Sequence, residues 1–382
     1  MPHFVPPEQL RIRTGPKIIN TMPRTIGIEL EISDWKNLRN ERFQHLQYEQ
    51  THDWSVQPSG MEMVISPLQG DVFINAMLEL GEKLYRTRVE TNHTCALHVH
   101  IGGQDLSYWE LRRLLRVYAR IEKEIYDYLI LPHRRDVPTV VHYCQKLTER
   151  HETCNRCMRY DSQYPHQRRL VPLLQSILPQ MDTARDTAAL KRTFLTWMYG
   201  IDPSPRPQRG NPKYNIPGPY REFQTRKGGR YEWARYVGLN LHAWQYRGTL
   251  EFRMKEGTTD VEELLAWPLW CGWFVEAATR MKEKASHDPG LTLVPFTETY
   301  MPKWIAEWVK QKVAKGVTSH VNASDIVPNI PNQTEGISRA YEEIQRGRRN
   351  ILLATTMDTT TTDPHWGPYS ASEPPNPFEG DE

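Results

Sequence analysis

The 382-residue sequence lacks several features that mark special classes of protein. It has no apolar run near the ~20 residues that a membrane-spanning helix needs, so we expect no membrane association. Its formal net charge is only +2, which gives no footprint of general nucleic-acid binding. A glycine-rich phosphate fingerprint of the Rossmann or P-loop type is also absent, which argues against those two nucleotide-binding folds.

Cysteine is scarce, with five residues in the chain. An odd number does not suit a disulfide framework. The first residues also lack the basic and then apolar pattern of a secretory signal. We therefore expect reduced thiols and a cytoplasmic protein.

Cysteine and histidine cluster within residues 142–157, and several interpretations of the cluster stay open. Cys154 and Cys157 have the spacing of half a zinc site, which Cys144 and His151 would complete as a structural Zn²⁺ site. Reduced thiols without a metal, or a redox pair, are the other interpretations.

Composition divides the chain into three parts. Residues 1–24 are predicted to form an irregular arm, and residues 25–354 one folded domain. Residues 355–382 are rich in Thr and Pro, acidic, and free of Lys and Arg, so a disordered tail is predicted. A polar segment at about 132–215 interrupts the regular patterns of the domain.

Hydrophobic periodicity predicts an α+β fold. Period-two alternation predicts strands at 25–32, 61–65, 95–101, 236–243 and 249–254, the last two joined as a hairpin. Helical periodicity predicts helices at 71–88, 107–131, 170–200, 260–284, 301–315 and 335–352. This order favours a mainly antiparallel sheet with helices on one face over a doubly wound parallel sheet.

Charged residues gather on the polar faces of these strands. Side chains at positions i and i+2 of a strand point to the same face, about 7 Å apart. The pairs are Glu29 with Glu31, His98 with His100, and Glu251 with Arg253, while Glu62 lies on another strand and Asp53 precedes that strand. A solvent-exposed face is one interpretation. A shared metal–phosphate site is the other, because carboxylates and imidazoles suit Mg²⁺ or Mn²⁺ and arginine suits a phosphoryl group.

These segments resemble the amidoligases of the carboxylate–amine ligase superfamily, which includes glutamate–cysteine ligase and glutamine synthetase. The matching stretches, in the family's order, are residues 27–31, 53–55, 60–67, 97–101, 240, 248–253 and 257–258. The resemblance implies a glutamine synthetase-like sheet and an ATP-dependent ligase. Such a ligase joins a carboxylate substrate to an amine substrate through an acyl phosphate, giving an amide or isopeptide bond.

The resemblance also implies residue roles. The implied metal ligands are Glu29, Glu31, Glu62, Glu251 and one of His98 and His100. The implied catalytic residues are Arg253, Asp53, Glu251 and Asn240. The implied nucleotide-binding residues are Arg253, Arg235, Asn240 and Lys227. Lys227 lies in a basic segment that is either a phosphate clamp or a solvated loop.

The sequence is also compatible with two other functions. A metal-dependent hydrolase would use the same histidines and carboxylates, and a non-catalytic binding protein would keep only the fold. The substrates, whether small molecules, peptides or protein side chains, are not specified. An oligomer is compatible with the resemblance, because glutamine synthetase relatives form rings. The arginines at 112, 113, 116 and 120 are predicted to form a solvated helix face.

Overall fold

The computed structural model describes residues 22–316, apart from 34–36, 54–55, 57–59, 137–140, 142, 150–157, 161–167, 171–172 and 200–232. Most of the predicted N-terminal arm, the helix predicted at 335–352 and the predicted tail lie outside the described residues. The division into arm, domain, inserted segment and tail therefore stays a prediction.

Antiparallel strands form the centre of the described structure. They are β1 (Ile26–Ile32), β2 (Tyr48–His52), β3 (Met61–Leu68), β4 (Ala96–Gly102), β5 (Met158–Tyr160), β6 (Arg168–Leu170), β7 (Leu239–Asn240) and β8 (Thr249–Glu256). Within the described residues, six of them form one sheet in the order β2-β3-β1-β4-β8-β7, and β5 pairs with β6.

Helices surround this sheet. They are α1 (Gly70–Thr87), α2 (Tyr108–Tyr128), α3 (Pro132–Asp136), α4 (Leu174–Asp182), α5 (Thr187–Tyr199), α6 (His242–Arg247), α7 (Val261–Arg280), α8 (Glu283–Ser286), α9 (Leu293–Tyr300) and α10 (Lys303–Lys315). A capping box begins α2, because Ser107 and Glu110 bond reciprocally. Among the described helices, none is both long enough and apolar enough to cross a bilayer.

The apolar strand face packs against α7. Ile26 lies close to Gly272, in the middle of that helix. On β8, the Phe252 ring lies 6.3 Å from that of Trp267 and 6.5 Å from that of Trp270. Trp267 and Trp270 are therefore core residues, and the predicted α+β class with a mainly antiparallel sheet is confirmed.

The predicted hairpin between residues 236 and 254 is wrong in its connection. β7 does pair with β8, but helix α6 replaces the expected turn. Asn240 explains the difference, because its Oδ1 accepts the backbone N–H groups of His242 at 2.9 Å and Ala243 at 3.3 Å. Gly248 ends the helix in the left-handed region, with φ at 72°.

Other boundaries also differ from the prediction. The helix predicted at 170–200 is two helices, α4 and α5, and the helix predicted at 260–284 ends at Arg280. β2 was missed because its side chains are mostly exposed and show no apolar face.

The predicted solvated arginine face of α2 is wrong for two of its four members. Arg112 and Arg116 are buried and pair with Asp182 of α4 and with Glu283 of α8. The arginine stems thus cover apolar surface while their charges are neutralised by neighbouring helices.

Candidate metal and phosphate site

The register of the sheet brings the charged strand residues side by side. Glu29 of β1 lies opposite His98 of β4, and His100 lies opposite Glu251 of β8. On the other side of β1, Glu31 lies opposite Glu62 of β3. Because these side chains all point away from α7, they meet on the face that the apolar core does not use.

Two imidazoles occupy the middle of this face and link carboxylates on both sides. His98 Nδ1 lies 3.3 Å from Glu29 Oε2, and His100 Nε2 lies 3.3 Å from Glu29 Oε1. The same two nitrogens lie 3.9 and 3.8 Å from Glu251 Oε1. The other His100 nitrogen, Nδ1, lies 3.0 Å from the Thr249 hydroxyl, which fixes the ring.

Glu251 is held from two sides. Its Oε1 pairs with the Arg253 guanidinium, and its Oε2 accepts a hydrogen bond of 2.5 Å from Asn240 Nδ2. Arg253 Nε in turn donates to the carbonyl oxygen of Tyr143 at 3.4 Å. Glu251 and Arg253 are buried, so both groups are fixed before any ligand arrives.

Two further arginines lie at this end of the site. Arg247, at the end of α6, places Nη1 3.6 Å from Glu29 Oε1. Arg235, which was predicted, lies in the 3₁₀ turn Trp233–Arg235, where burial and the charge of Arg253 lower the pKa of its guanidinium. The sequence did not predict Arg247 as a site residue, because a hairpin turn was expected where the structure has helix α6. We call the group formed by Arg235, Arg247 and Arg253 the arginine end.

The opposite end of the face is acidic. Glu31, Asp53 and Glu62 each bring a carboxylate oxygen within 4.8 Å of the other two. Glu31 Oε2 accepts the backbone N–H of Ala96 at 2.7 Å, and Glu62 Oε2 accepts the Thr51 hydroxyl at 2.8 Å. We call Glu31, Asp53 and Glu62 the acidic end.

The carboxyl groups differ in proton affinity because their neighbours differ. Burial alone would raise the pKa of Glu29, but His100 and His98 hold it well below its usual range. Burial acts the same way on Glu251, yet Arg253 and His100 lower its pKa to about 2. Burial and the negative charge of Glu29 instead raise the pKa of Glu62 to about 9. Glu62 is therefore the weakest acid of these three carboxyl groups.

The donor set fits a hard divalent cation. Among the described residues, three groups bring their ligand atoms within 4.8 Å of one another, namely Glu29, His100 and Glu251, then Glu29, Glu62 and His98, then Glu31, Asp53 and Glu62. These groups contain no thiolate; their carboxylate oxygens are ligands that Mg²⁺ and Mn²⁺ prefer, and the imidazoles also suit borderline divalent ions. Neighbouring groups share Glu29 or Glu62, so more than one cation fits along the face.

Several predicted site residues lie outside the described residues, namely Lys227, His151, Cys154 and Cys157. Cys144 is described and is a buried thiol whose Sγ donates to the Arg134 carbonyl at 3.5 Å. The zinc site stays a prediction. Cys95 and Cys271 are buried in the core.

Comparison with known proteins gives one family. A family model described as "putative amidoligase enzyme" matches residues 32–171 and 211–275, which is more than half of the chain. The match contains Glu62, both histidines, Glu251 and Arg253, whereas Glu29 precedes it. Neither the curated proteins nor the solved structures gave a match.

Proposed function

We propose that this chain, which belongs to the amidoligase family, is an ATP-dependent ligase that joins a carboxylate to an amine through an acyl phosphate. One observation carries the proposal. A single face of the sheet gathers carboxylates, two imidazoles and an arginine, each within 4 Å of at least one other group of the set. That combination suits a nucleotide triphosphate with its divalent cations.

In the first proposed step, an oxygen of the substrate carboxylate attacks the γ-phosphorus of ATP. The bond from that phosphorus to the β–γ bridging oxygen breaks, and ADP leaves with the electron pair. Arg253 and Arg247 would bind the phosphoryl oxygens at the arginine end, where their fixed positive charges favour transfer. Arg235 and Lys227 are the further candidates for nucleotide contacts.

The cations would be held by Glu29, Glu31, Glu62, Glu251 and the two histidines. When bound, Mg²⁺ or Mn²⁺ supplies positive charge to the phosphate oxygens. Asn240 has a supporting part in this scheme. Its amide donates to Glu251 while its oxygen accepts from α6, so it aims the Glu251 carboxylate.

In the second proposed step, the amine nitrogen attacks the acyl carbon and the carbon–oxygen bond to phosphate breaks. Phosphate leaves and an amide bond forms. An ammonium group must lose a proton before its nitrogen can attack. The acidic end would attract the ammonium form, and Asp53 is the candidate that accepts its proton. Both ends of the charged face thereby have a use in one reaction.

The reaction is tested by following nucleotide products with panels of carboxylic acids and amines. ADP and phosphate are expected only when both an acid and an amine are present. Hydroxylamine in place of the amine should trap the acyl phosphate as a hydroxamate. Release of AMP and pyrophosphate, or product formed without nucleotide as a hydrolase would do, contradicts the mechanism.

Variants test the site itself. Glu251→Gln and Arg253→Ala should each lower turnover by about 100-fold or more, because the first removes a proposed cation ligand and the second a positive charge for the transferring phosphoryl group. Arg120→Ala, on the exposed side of α2, is the matched control and should keep full turnover. Circular dichroism should show all three folded. Full activity in either site variant contradicts the assignment.

A further inference from the structure

Strand β8 changes its pairing at Arg253. Val99 of β4 lies opposite Phe252, but Leu97 lies opposite Lys255. Two residues of β8, Arg253 and Met254, therefore stand against the single β4 residue between those pairs. This is a β-bulge, and a bulge locally interrupts the regular ladder of hydrogen bonds. Arg253 thus lies at the irregular point of its strand.

Arg134 of α3 binds both bulge residues. Its Nη2 donates to the Arg253 carbonyl at 2.9 Å, and its Nε donates to the Met254 carbonyl at 3.4 Å. One planar guanidinium thereby binds two consecutive peptide units, the one before and the one after Met254. Lysine could not reproduce this fork.

The burial of Arg134 is unusual for a cation. Only 3% of the residue is exposed, and no ion pair among the described residues includes it. Buried charges are costly and are generally paired with an opposite charge. The positive charge of Arg134 acts on the carboxyl group of Glu31, on the charged face. Burial raises the pKa of Glu31, and Arg134 opposes that rise.

The chain around Arg134 is itself anchored. The Cys144 thiol donates to the Arg134 carbonyl, and the Tyr126 hydroxyl donates to the Cys144 carbonyl. Next to Cys144, the Tyr143 carbonyl accepts from the Arg253 side chain. Arg253 is therefore held twice, at its backbone carbonyl by Arg134 and at its guanidinium by the Tyr143 carbonyl.

We infer that Arg134 is a positioning residue that fixes the bulge of β8 and so aims Arg253 at the phosphoryl group. The inference rests on the proposed function, because it needs Arg253 to contact phosphate. Without Arg134, two buried carbonyls lose their donor and the bulge can relax. The Arg253 guanidinium would then no longer be held in line with Glu251.

A double-mutant cycle tests this role through the affinity for Mg²⁺-ATP, measured by calorimetry. Arg134→Ala should weaken binding by about 10-fold to 100-fold, the range found when an outer partner of a binding group is removed. Arg253→Ala should weaken it at least as much. The double variant should be no weaker than Arg253→Ala alone, because Arg134 acts only through Arg253.

Arg113→Ala is the matched control. Arg113 also donates two hydrogen bonds to a backbone carbonyl, that of Thr279, at 2.9 and 2.7 Å. It lies on α2, away from the charged face, so its loss should leave the affinity unchanged. A general loss of helix packing would affect both arginine variants alike.

Arg134→Lys keeps the charge and decides the question if Arg134→Ala does not fold. A weakened affinity in this variant, with normal thermal unfolding, supports the role. Wild-type affinity in the lysine variant, or additive losses in the cycle, overturns it. If the wild-type protein binds no Mg²⁺-ATP, the ligase proposal and this role are both refuted. If it binds Mg²⁺-ATP and the Arg134 substitutions leave the affinity unchanged, this role alone is refuted.

Discussion

Side chains on the two faces of strand β8 lie in different surroundings, as Lys255 shows. It is buried on the core side of β8, where its ammonium donates to the Leu129 carbonyl at 2.8 Å. Glu256 lies 2.7 Å from it and Glu263 lies 2.8 Å from it. Burial alone would raise the pKa of Glu263, but Lys255 and Lys312 lower it to about 2. The cluster joins β8 to α7 and α10.

Glu263→Gln should therefore destabilise the protein. We expect a loss of roughly 3 kcal/mol in the free energy of unfolding at pH 7, since one partner of a buried ion cluster is removed. A carboxyl with a lowered folded-state pKa stabilises above its unfolded pKa near 4.5, and that stability is lost as the pH falls towards 2. The difference between variant and wild type should shrink over that range.

Urea unfolding at pH 7, 5 and 3 measures this effect. Lys310→Ala, which removes an exposed partner of Glu298 and Glu307, is the control and should unfold like wild type. A difference between Glu263→Gln and wild type that stays constant down to pH 3 contradicts the assignment of this ion cluster.

The site residues could be named from sequence where strand alternation alone places them. Glu29, His98 and Glu251 follow that rule, because their strands pair in regular register on this face. Arg247 and Arg134 could not be named. The first depends on a helix where a turn was expected, and the second on a bulge that only the paired strands reveal.

The contact between α1 and α7 depends on a missing side chain. A Cβ added at Gly81 would lie 2.6 Å from Val261 Cγ2 and 2.8 Å from its Cβ. Such distances require the helices to move apart, since the clash involves the start of a branched side chain. Gly81 therefore sets the closest approach of the two helices.

Gly81→Ala should destabilise the protein although alanine favours helices. Alanine gains about 1 kcal/mol of helix propensity over glycine, but overpacking costs about 1–3 kcal/mol. We expect a net loss of about 1 kcal/mol in chemical unfolding. Adding Val261→Ala should restore part of it, because Cγ2 is then gone. A more stable Gly81→Ala protein would show that the helices are not in close contact.

The sequence predicts helices and strands correctly where one face of the element is apolar. The prediction fails where no face is apolar. β1 and α2 have regular apolar faces, and the start of α2 has its capping box. β2 is exposed and α6 is short, so neither has a hydrophobic period to detect. Helix α6 is started by local hydrogen bonds from backbone N–H groups to the Asn240 side chain, and hydrophobic periodicity does not reveal such bonds.

The molecule as a whole uses the two faces of one sheet for different purposes. One face packs on α7 and stabilises the fold, while the other carries the acidic end, the histidines and the arginine end. Because the two ends differ in charge, the proposed triphosphate and ammonium groups would be attracted to different positions. This polarity suits a reaction that transfers a phosphoryl group and then admits an amine.

Ligand binding should be visible in the thermal stability of the protein. At 100 times its dissociation constant, a ligand that binds only the folded state adds about 2.7 kcal/mol. Mg²⁺-ATP should therefore raise the Tm by several degrees, and EDTA should abolish the rise. Glu29→Gln should show a smaller rise, and Arg120→Ala the full one. An equal rise with ATP in EDTA contradicts a role for the cation.

Anomalous diffraction from crystals grown with Mn²⁺ and a non-hydrolysable ATP analogue tests the proposed site most directly. Manganese peaks are expected between Glu29, Glu62 and Glu251, with the terminal phosphate of the analogue against Arg253. Manganese and nucleotide bound elsewhere on the molecule, with these side chains left uncoordinated, would contradict the assignment of this face as the ATP site.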